Sequence, residues 1–104
     1  MNEQPKRYIN EYGDKFWYLP SKGRRYFHRL DGPAVEGADG SKEWFVDGKV
    51  HRLDGPAVEF ASGTKAWWIN DKELSTEEVE DWLEENDVDL TTEAGQMAFK
   101  LRWS

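Results

Sequence analysis

Two histidine–arginine pairs, His28-Arg29 and His51-Arg52, are the residues here whose types could do chemistry. An imidazole beside a guanidinium can hold a phosphate or a carboxylate, and arginine's planar fork suits either anion. A metal site is a poorer fit. A structural zinc ion takes four ligands, and this chain offers two His and no Cys. Serines 21, 41, 62, 75 and 104 sit in no nucleophile elbow, and no phosphate loop or dinucleotide fingerprint is present. Acids crowd residues 77–89, where a solvated helix face explains them better than an acid–base pair does. The expectation is a protein that is not an enzyme and uses no cofactor or metal.

The elements that must position these pairs are repeats. Residues 28–36, His-Arg-Leu-Asp-Gly-Pro-Ala-Val-Glu, recur unchanged as residues 51–59, an offset of 23. The register then holds: Gly40 maps to Gly63, Lys42 to Lys65, Trp44 to Trp67, Val46 to Ile69 and Lys49 to Lys72. A degenerate copy precedes them, with Gly13, Lys15 and Trp17 at the places of Gly40, Lys42 and Trp44. An insertion of four residues within 21–26 accounts for its longer reach to His28.

Each unit reads as a β-hairpin. Pro-Ala-Val-Glu is a short strand with proline at its first residue. A turn containing Gly40 or Gly63 follows, then a Lys-x-Trp-x-Val/Ile strand of period two. Alternation puts Trp17/Leu19, Trp44/Val46 and Trp67/Ile69 on one face, and Phe16/Tyr18, Phe45 and Trp68 on the other. Two strands per repeat space equivalent residues by roughly 10 Å, so the two His-Arg pairs cannot share one ion. On a structural reading, Asp31 and Asp54 cap their Asp-Gly-Pro turns, each Arg pairs with a neighbouring acid, and each His packs on a Trp. On a functional reading, His28, Arg29, His51 and Arg52 form a row at one sheet edge that binds a phosphate or an acidic partner.

After the repeats, Ser75-Thr76-Glu77-Glu78 is a capping box. Val79, Trp82 and Leu83 then make one apolar stripe, and Glu77, Glu78, Glu80, Asp81, Glu84 and Glu85 fill the rest of the surface. Thr91 or Thr92 caps a second helix over 93–102, with Ala94, Met97, Ala98 and Leu101 as its stripe and Phe99 and Trp103 beside it. Residues 99–103 also alternate strictly, so an edge strand competes with the helix there. The expected fold is α+β: one domain over 1–104, with an antiparallel β-meander of about six short strands over 6–74. An acidic pair of helices over 75–104 covers its open edge.

Composition narrows the function. Hydrophobic residues make up only 38% of the 104, but six Trp, five Phe and four Tyr supply large side chains for a core. The net charge of −7 is lopsided: residues 1–74 carry 12 Lys/Arg and 12 Asp/Glu, and residues 75–104 carry 2 and 9. A basic nucleic-acid footprint is missing, so direct nucleic-acid or anionic-membrane binding is not expected. No apolar run reaches the roughly 20 residues a membrane span needs, and the N-terminus reads as no secretory signal. A cytoplasmic protein is expected.

The repeating His-Arg-x-Asp-Gly-Pro-Ala, followed by Gly-Ser/Thr-Lys-x-Trp, resembles the MORN-like repeats of bacteriophage and large-virus proteins. The resemblance covers residues 13–74. It implies a β-meander, a viral origin and hence the host cytoplasm, and it implies no catalytic activity. The Tyr-x-Gly-rich pattern of eukaryotic MORN repeats is absent here.

Three functional readings follow. The first is a protein-binding module, a phage accessory protein that inhibits or redirects a host nucleic-acid-binding or defence protein. Its acidic helix would imitate nucleic-acid charge, with Glu77, Glu78, Glu80, Asp81, Glu84, Glu85, Tyr18, Phe45 and Trp68 in contact. The second is a nucleotide-type ligand binder using Arg29 and Arg52 beside Phe45 and Trp68. The third is an assembly protein that forms homo-oligomers through an edge strand. The open sheet face depends on the tail: if Val79, Trp82 and Leu83 cover the Trp17/Trp44/Trp67 side, Tyr18, Phe45 and Trp68 stay available.

Overall fold

A fork in the strand pairing recurs at Trp17 and Trp44 of the repeat. The computed structural model describes residues 4–21 and 23–104. Its strands are β1 (Lys6–Ile9), β2 (Lys15–Ser21), β3 (Arg24–Phe27), β4 (Val35–Glu36), β5 (Lys42–Glu43), β6 (Phe45–Val46), β7 (Lys49–Val50), β8 (Val58–Glu59), β9 (Lys65–Ile69) and β10 (Lys72–Leu74). Helices α1 (Thr76–Glu85) and α2 (Glu93–Trp103) follow. The fold is α+β. Eight strands form one antiparallel sheet in the order β1-β2-β4-β5-β8-β9-β10, with β3 paired to β2, and β6–β7 form a separate pair.

At the fork, Trp17 N–H donates to Ala34 O at 2.8 Å, and Trp17 O accepts from His28 N–H at 3.0 Å. Trp44 makes the same two bonds with Ala57 and His51, at 2.8 and 3.0 Å. One side of each Trp-bearing strand is therefore shared. Its first half pairs with the short strand of the next repeat, Lys15 opposite Glu36 and Lys42 opposite Glu59. Its second half pairs with its own hairpin return, Tyr18 opposite Phe27 and Phe45 opposite Val50. The chain between these halves, residues 28–34 and 51–57, loops out over the tryptophan. Among the described residues the strands number ten, because the hairpin returns β3, β7 and β10 are strands as well and Trp44 divides β5 from β6.

The four-residue insertion lengthens the β2–β3 hairpin by two residues on each strand relative to β6–β7. An even number keeps the pleat in phase, so Trp17 stays on the same face as Trp44. Position 22, within the inserted stretch, lies outside the described residues, as do positions 1–3 at the N-terminus.

Strand β1 is a further copy that the sequence did not disclose. The turn after it is closed by Asn10 N–H to Asp14 O and Gly13 N–H to Asn10 O. The same two bonds close the turns after β4 (Gly37 to Ser41, Gly40 to Gly37) and β8 (Phe60 to Thr64, Gly63 to Phe60). The shared glycine position has φ of 88°, 96° and 95° at Gly13, Gly40 and Gly63, a left-handed conformation that a side chain would strain.

The core lies at the C-terminal end of the stack. Trp67, Ile69, Leu74, Val79 and Phe99 are buried together, with Leu53, Trp82, Leu83, Leu90 and Trp103 packed around them. The tail thus covers the Trp17/Trp44/Trp67 side of the sheet. Ser75 caps α1 by accepting from Glu78 N–H, and Thr92 caps α2 by accepting from Gly95 N–H. Residues 97–103 are helical, but the buried stripe of α2 is not the one its periodicity suggested. Gly95, Phe99 and Trp103 face inward, while Met97 and Leu101 are exposed at 57% and 73%. Two aromatics outweigh the Ala/Met/Leu stripe because each buries far more surface. Gly95 lets the helix start lie tight against Asp89 O, where a Cβ has no room.

Phe99 is fully buried and packs edge-on to Trp67, with ring centroids 5.6 Å apart. Its truncation in Phe99→Ala is expected to cost about 3–5 kcal/mol of unfolding free energy. The exposed control Leu101→Ala should stay within about 0.5 kcal/mol in urea titrations of the two variants.

Candidate functional site

The Asp-Gly-Pro loops fold as arginine clamps. Arg29 lays its guanidinium flat on Trp17, with Cζ 3.9 Å from the ring centroid, and Arg52 does the same on Trp44 at 3.8 Å. Arg29 Nε donates to Asp31 at 3.0 Å, while its Nη1 donates to Pro33 O at 3.1 Å and Glu36 at 3.2 Å. Arg52 repeats each bond: Asp54 at 2.7 Å, Pro56 O at 2.9 Å and Glu59 at 3.0 Å. The guanidinium passes close to the glycine of the motif, so a side chain there would push the clamp aside. A Cβ on Gly32 or Gly55 would stand 3.0 or 2.9 Å from the arginine Cζ. The motif therefore encodes a cation held between an indole face and two carboxylates.

This geometry corrects the structural reading of the motif in two places. Arginine, not histidine, covers the tryptophan, and Asp31 and Asp54 hold the arginine side chain. Delocalised guanidinium stacks on an indole with little loss of hydration, and its fork still reaches three acceptors.

The histidines reach forward to the next hairpin turn. His28 Nδ1 accepts from Asp47 N–H at 3.0 Å, and His51 Nδ1 accepts from Asn70 N–H at 3.2 Å. Both turn residues have positive φ, 51° at Asp47 and 48° at Asn70. Each imidazole thus holds a two-residue turn in the primed geometry that matches strand twist. The four residues His28, Arg29, His51 and Arg52 come together with the sheet, but as internal ties. The Nε and Nη1 of both arginines are engaged within the chain.

Between the two clamps lies a groove of about 530 Å³. Arg29, Asp31, Trp44, His51, Arg52 and Asp54 line it, together with Gln96 of α2. Each guanidinium here is matched by two carboxylates, so the groove carries no surplus positive charge for an anion.

The opposite face carries aromatics in sequence. Tyr8, Phe16, Phe27 and Phe45 follow one another with centroid separations of 6.2, 5.8 and 5.2 Å. Tyr18 stands beside them under Arg25, whose Cζ is 5.4 Å from its ring. Of the anticipated contact residues, Tyr18, Phe45 and Trp68 are half-buried, and the Trp68 indole nitrogen is enclosed. The more open members are Tyr8 at 56% and Phe27 at 39% exposure. Neither is marked by the repeat pattern. Tyr8 belongs to the unrecognised β1 copy, and Phe27 stands where the repeat has Val50. Glu77, Glu78, Glu80, Asp81, Glu84 and Glu85 are all exposed on α1. They project from the helix whose Val79 packs on Trp67, so the acidic and aromatic surfaces sit on different sides of the sheet.

No family model, curated protein or solved structure matches this chain.

Two outcomes are expected. Arg52→Met retains an unbranched apolar side chain but removes the clamp, and should lower stability by about 2 kcal/mol by chemical denaturation. Burial, with Lys100 second, lowers the His51 pKa from its ordinary 6.5. The unfolded chain therefore takes up this proton more readily than the folded one. Stability should be full above about pH 6.5 and fall as the pH drops through that value toward the depressed pKa. The melting temperature followed between pH 7.5 and 5.5 reads this loss, and His51→Asn, which keeps an acceptor without the titration, should flatten it.

Proposed function

We propose that this chain is a non-enzymatic binding module, acting in the cytoplasm, that docks a partner protein on the aromatic face of its repeat sheet. The observation that carries the reading is the row Tyr8, Phe16, Phe27 and Phe45, left uncovered by the helices. Contiguous exposed apolar surface on a small protein is a common mark of an interaction site. The clamps support it from the other direction, since the most chemically suggestive residues of the repeat are spent on holding the sheet.

The likeness of the repeat to phage and large-virus proteins makes the partner a host protein, which the module inhibits or redirects. The acidic face of α1 would steer it toward a basic host surface, such as one that normally meets nucleic acid. Among the described residues, no helix is long and apolar enough to cross a membrane.

A second reading rests on the 530 Å³ groove between the clamps, which is large enough for a small ligand. There Trp44, and not Phe45 or Trp68, would supply the aromatic surface.

Affinity capture from bacterial host lysate at low and high salt tests the first reading. A specific protein should be retained and then lost with the double variant Tyr8→Ser/Phe27→Ser. Neutralising Glu77, Glu80, Asp81 and Glu84 should weaken retention chiefly at low salt. Absence of any enriched protein, together with an uncharged nucleoside that raises the melting temperature, would favour the groove instead.

A further inference from the structure

The N-terminal edge of the sheet is an unfinished step of the repeat. Strands β4 and β8 each have a partner on both sides: β4 lies between β2 and β5, and β8 between β5 and β9. Among the described residues strand β1, their counterpart, pairs only with β2. Its four residues are all exposed. The pairing register fixes which backbone groups point outward. Trp17 directs its N–H and C=O to Ala34 and His28, away from β1. By alternation, Tyr8 and Lys6 bond to β2, while Arg7 and Ile9 turn their N–H and C=O outward.

We propose that this edge is a strand-addition site for an extended acidic segment of the partner protein. The inference rests on the binding-module reading and names the chemistry of the partner. Where β4 and β8 have Pro-Ala before Val-Glu, β1 has Lys6-Arg7 before Tyr8-Ile9. The counterpart of the neutral Pro-Ala step is thus doubly cationic, and β3 adds exposed Arg24 and Arg25 on the far side of β2.

Inside the stack, each step sets Lys against Glu across neighbouring strands, as in Lys15–Glu36 and Lys42–Glu59. Within β1 itself this edge offers Lys6 and Arg7 and no acid, so the incoming strand supplies the acids. Two copies of β1 paired through this edge would gather four cations and no acid in the joined strands, which disfavours self-pairing.

Alternation sets the partner's pattern as well. Arg7 lies on the tryptophan side of the sheet, and Tyr8 on the aromatic side next to Phe16. An added strand should therefore carry an acid opposite Arg7 and an apolar side chain opposite Tyr8, alternating along its length.

The probe is an end-capped peptide alternating valine with glutamate, compared with the same peptide bearing lysine for glutamate. Amide chemical shifts and a titration by fluorescence anisotropy are the readouts. The glutamate peptide should bind about tenfold tighter or more than the lysine peptide. Its largest shifts should fall on the Arg7 and Ile9 amides. Ile9→Pro removes an outward N–H without touching the β1–β2 bonds, so the fold should survive while binding is lost. Arg7→Glu should reverse the preference between the two peptides.

Equal binding of both peptides, undiminished binding by Ile9→Pro, shifts confined to the helices, or no binding would each overturn the proposal. So would a dimer, seen by sedimentation, that Ile9→Pro abolishes, because the edge would then serve a second copy of this chain. A host protein captured at full yield by Ile9→Pro would leave the binding-module reading standing and overturn only the strand addition.

Discussion

The stacked arginine–tryptophan pair is the contact on which the sheet depends. A fork in a β-sheet leaves a tryptophan uncovered where the two partner segments part, and something must close over it. Arg29 and Arg52 do this at Trp17 and Trp44, and the loop that carries each arginine is shaped around the guanidinium. Aspartate, proline carbonyl and glutamate supply acceptors at its rim, and glycine supplies clearance beneath it. Side-chain exposures of 21% and 18% for the two arginines place these cations well out of bulk water. An unpaired cation there would be costly, so the acids of the motif are as necessary as the arginine.

The C-terminal end shows the same problem solved with different chemistry. Trp67 has no arginine to cover it, since the next copy would place one at position 75, where Ser75 caps α1. Phe99 arrives from α2 and packs on the indole edge-on. The histidine position is likewise taken over by Leu74, 6% exposed. Both polar ties of the repeat are thus exchanged for apolar contacts at the point where the stack meets its helices. Leu53 of the second loop joins this apolar cluster, whereas Leu30 of the first, with no helix beside it, is 79% exposed.

Much of this was legible in the sequence, and the failures have specific causes. The 23-residue offset, the hairpins, the common face of the Trp residues and both helices follow from period and punctuation, because each element's local preference agrees with its place in the fold. The role of arginine did not follow. Nothing in His-Arg-Leu-Asp-Gly-Pro-Ala says which of its two basic side chains folds back on the preceding strand. The expected sheet begins at residue 6, but the kinship of β1 to the repeat is hidden because only its turn glycine keeps the spacing, while Lys6, Arg7, Tyr8 and Ile9 replace Pro, Ala, Val and Glu. The face of α2 was misjudged because a count of apolar positions gives Met97 and Leu101 the same weight as Phe99.

The hairpin beyond each fork varies in length without disturbing the fork. Between Trp17 and His28 it is four residues longer than between Trp44 and His51, yet both histidines bond the tryptophan carbonyl at 3.0 Å. Folding information is thus concentrated at the branch point, and the arm beyond it is free to grow in steps of two residues per strand. A lineage of such proteins could extend individual arms to reshape one flank of the molecule while its spine stayed constant. Tandem duplication of the unit would act on the other axis, moving the cationic and anionic ends apart by roughly 10 Å per copy. Width and length would then be set by separate genetic events, a modularity that suits a surface required to track a changing counterpart.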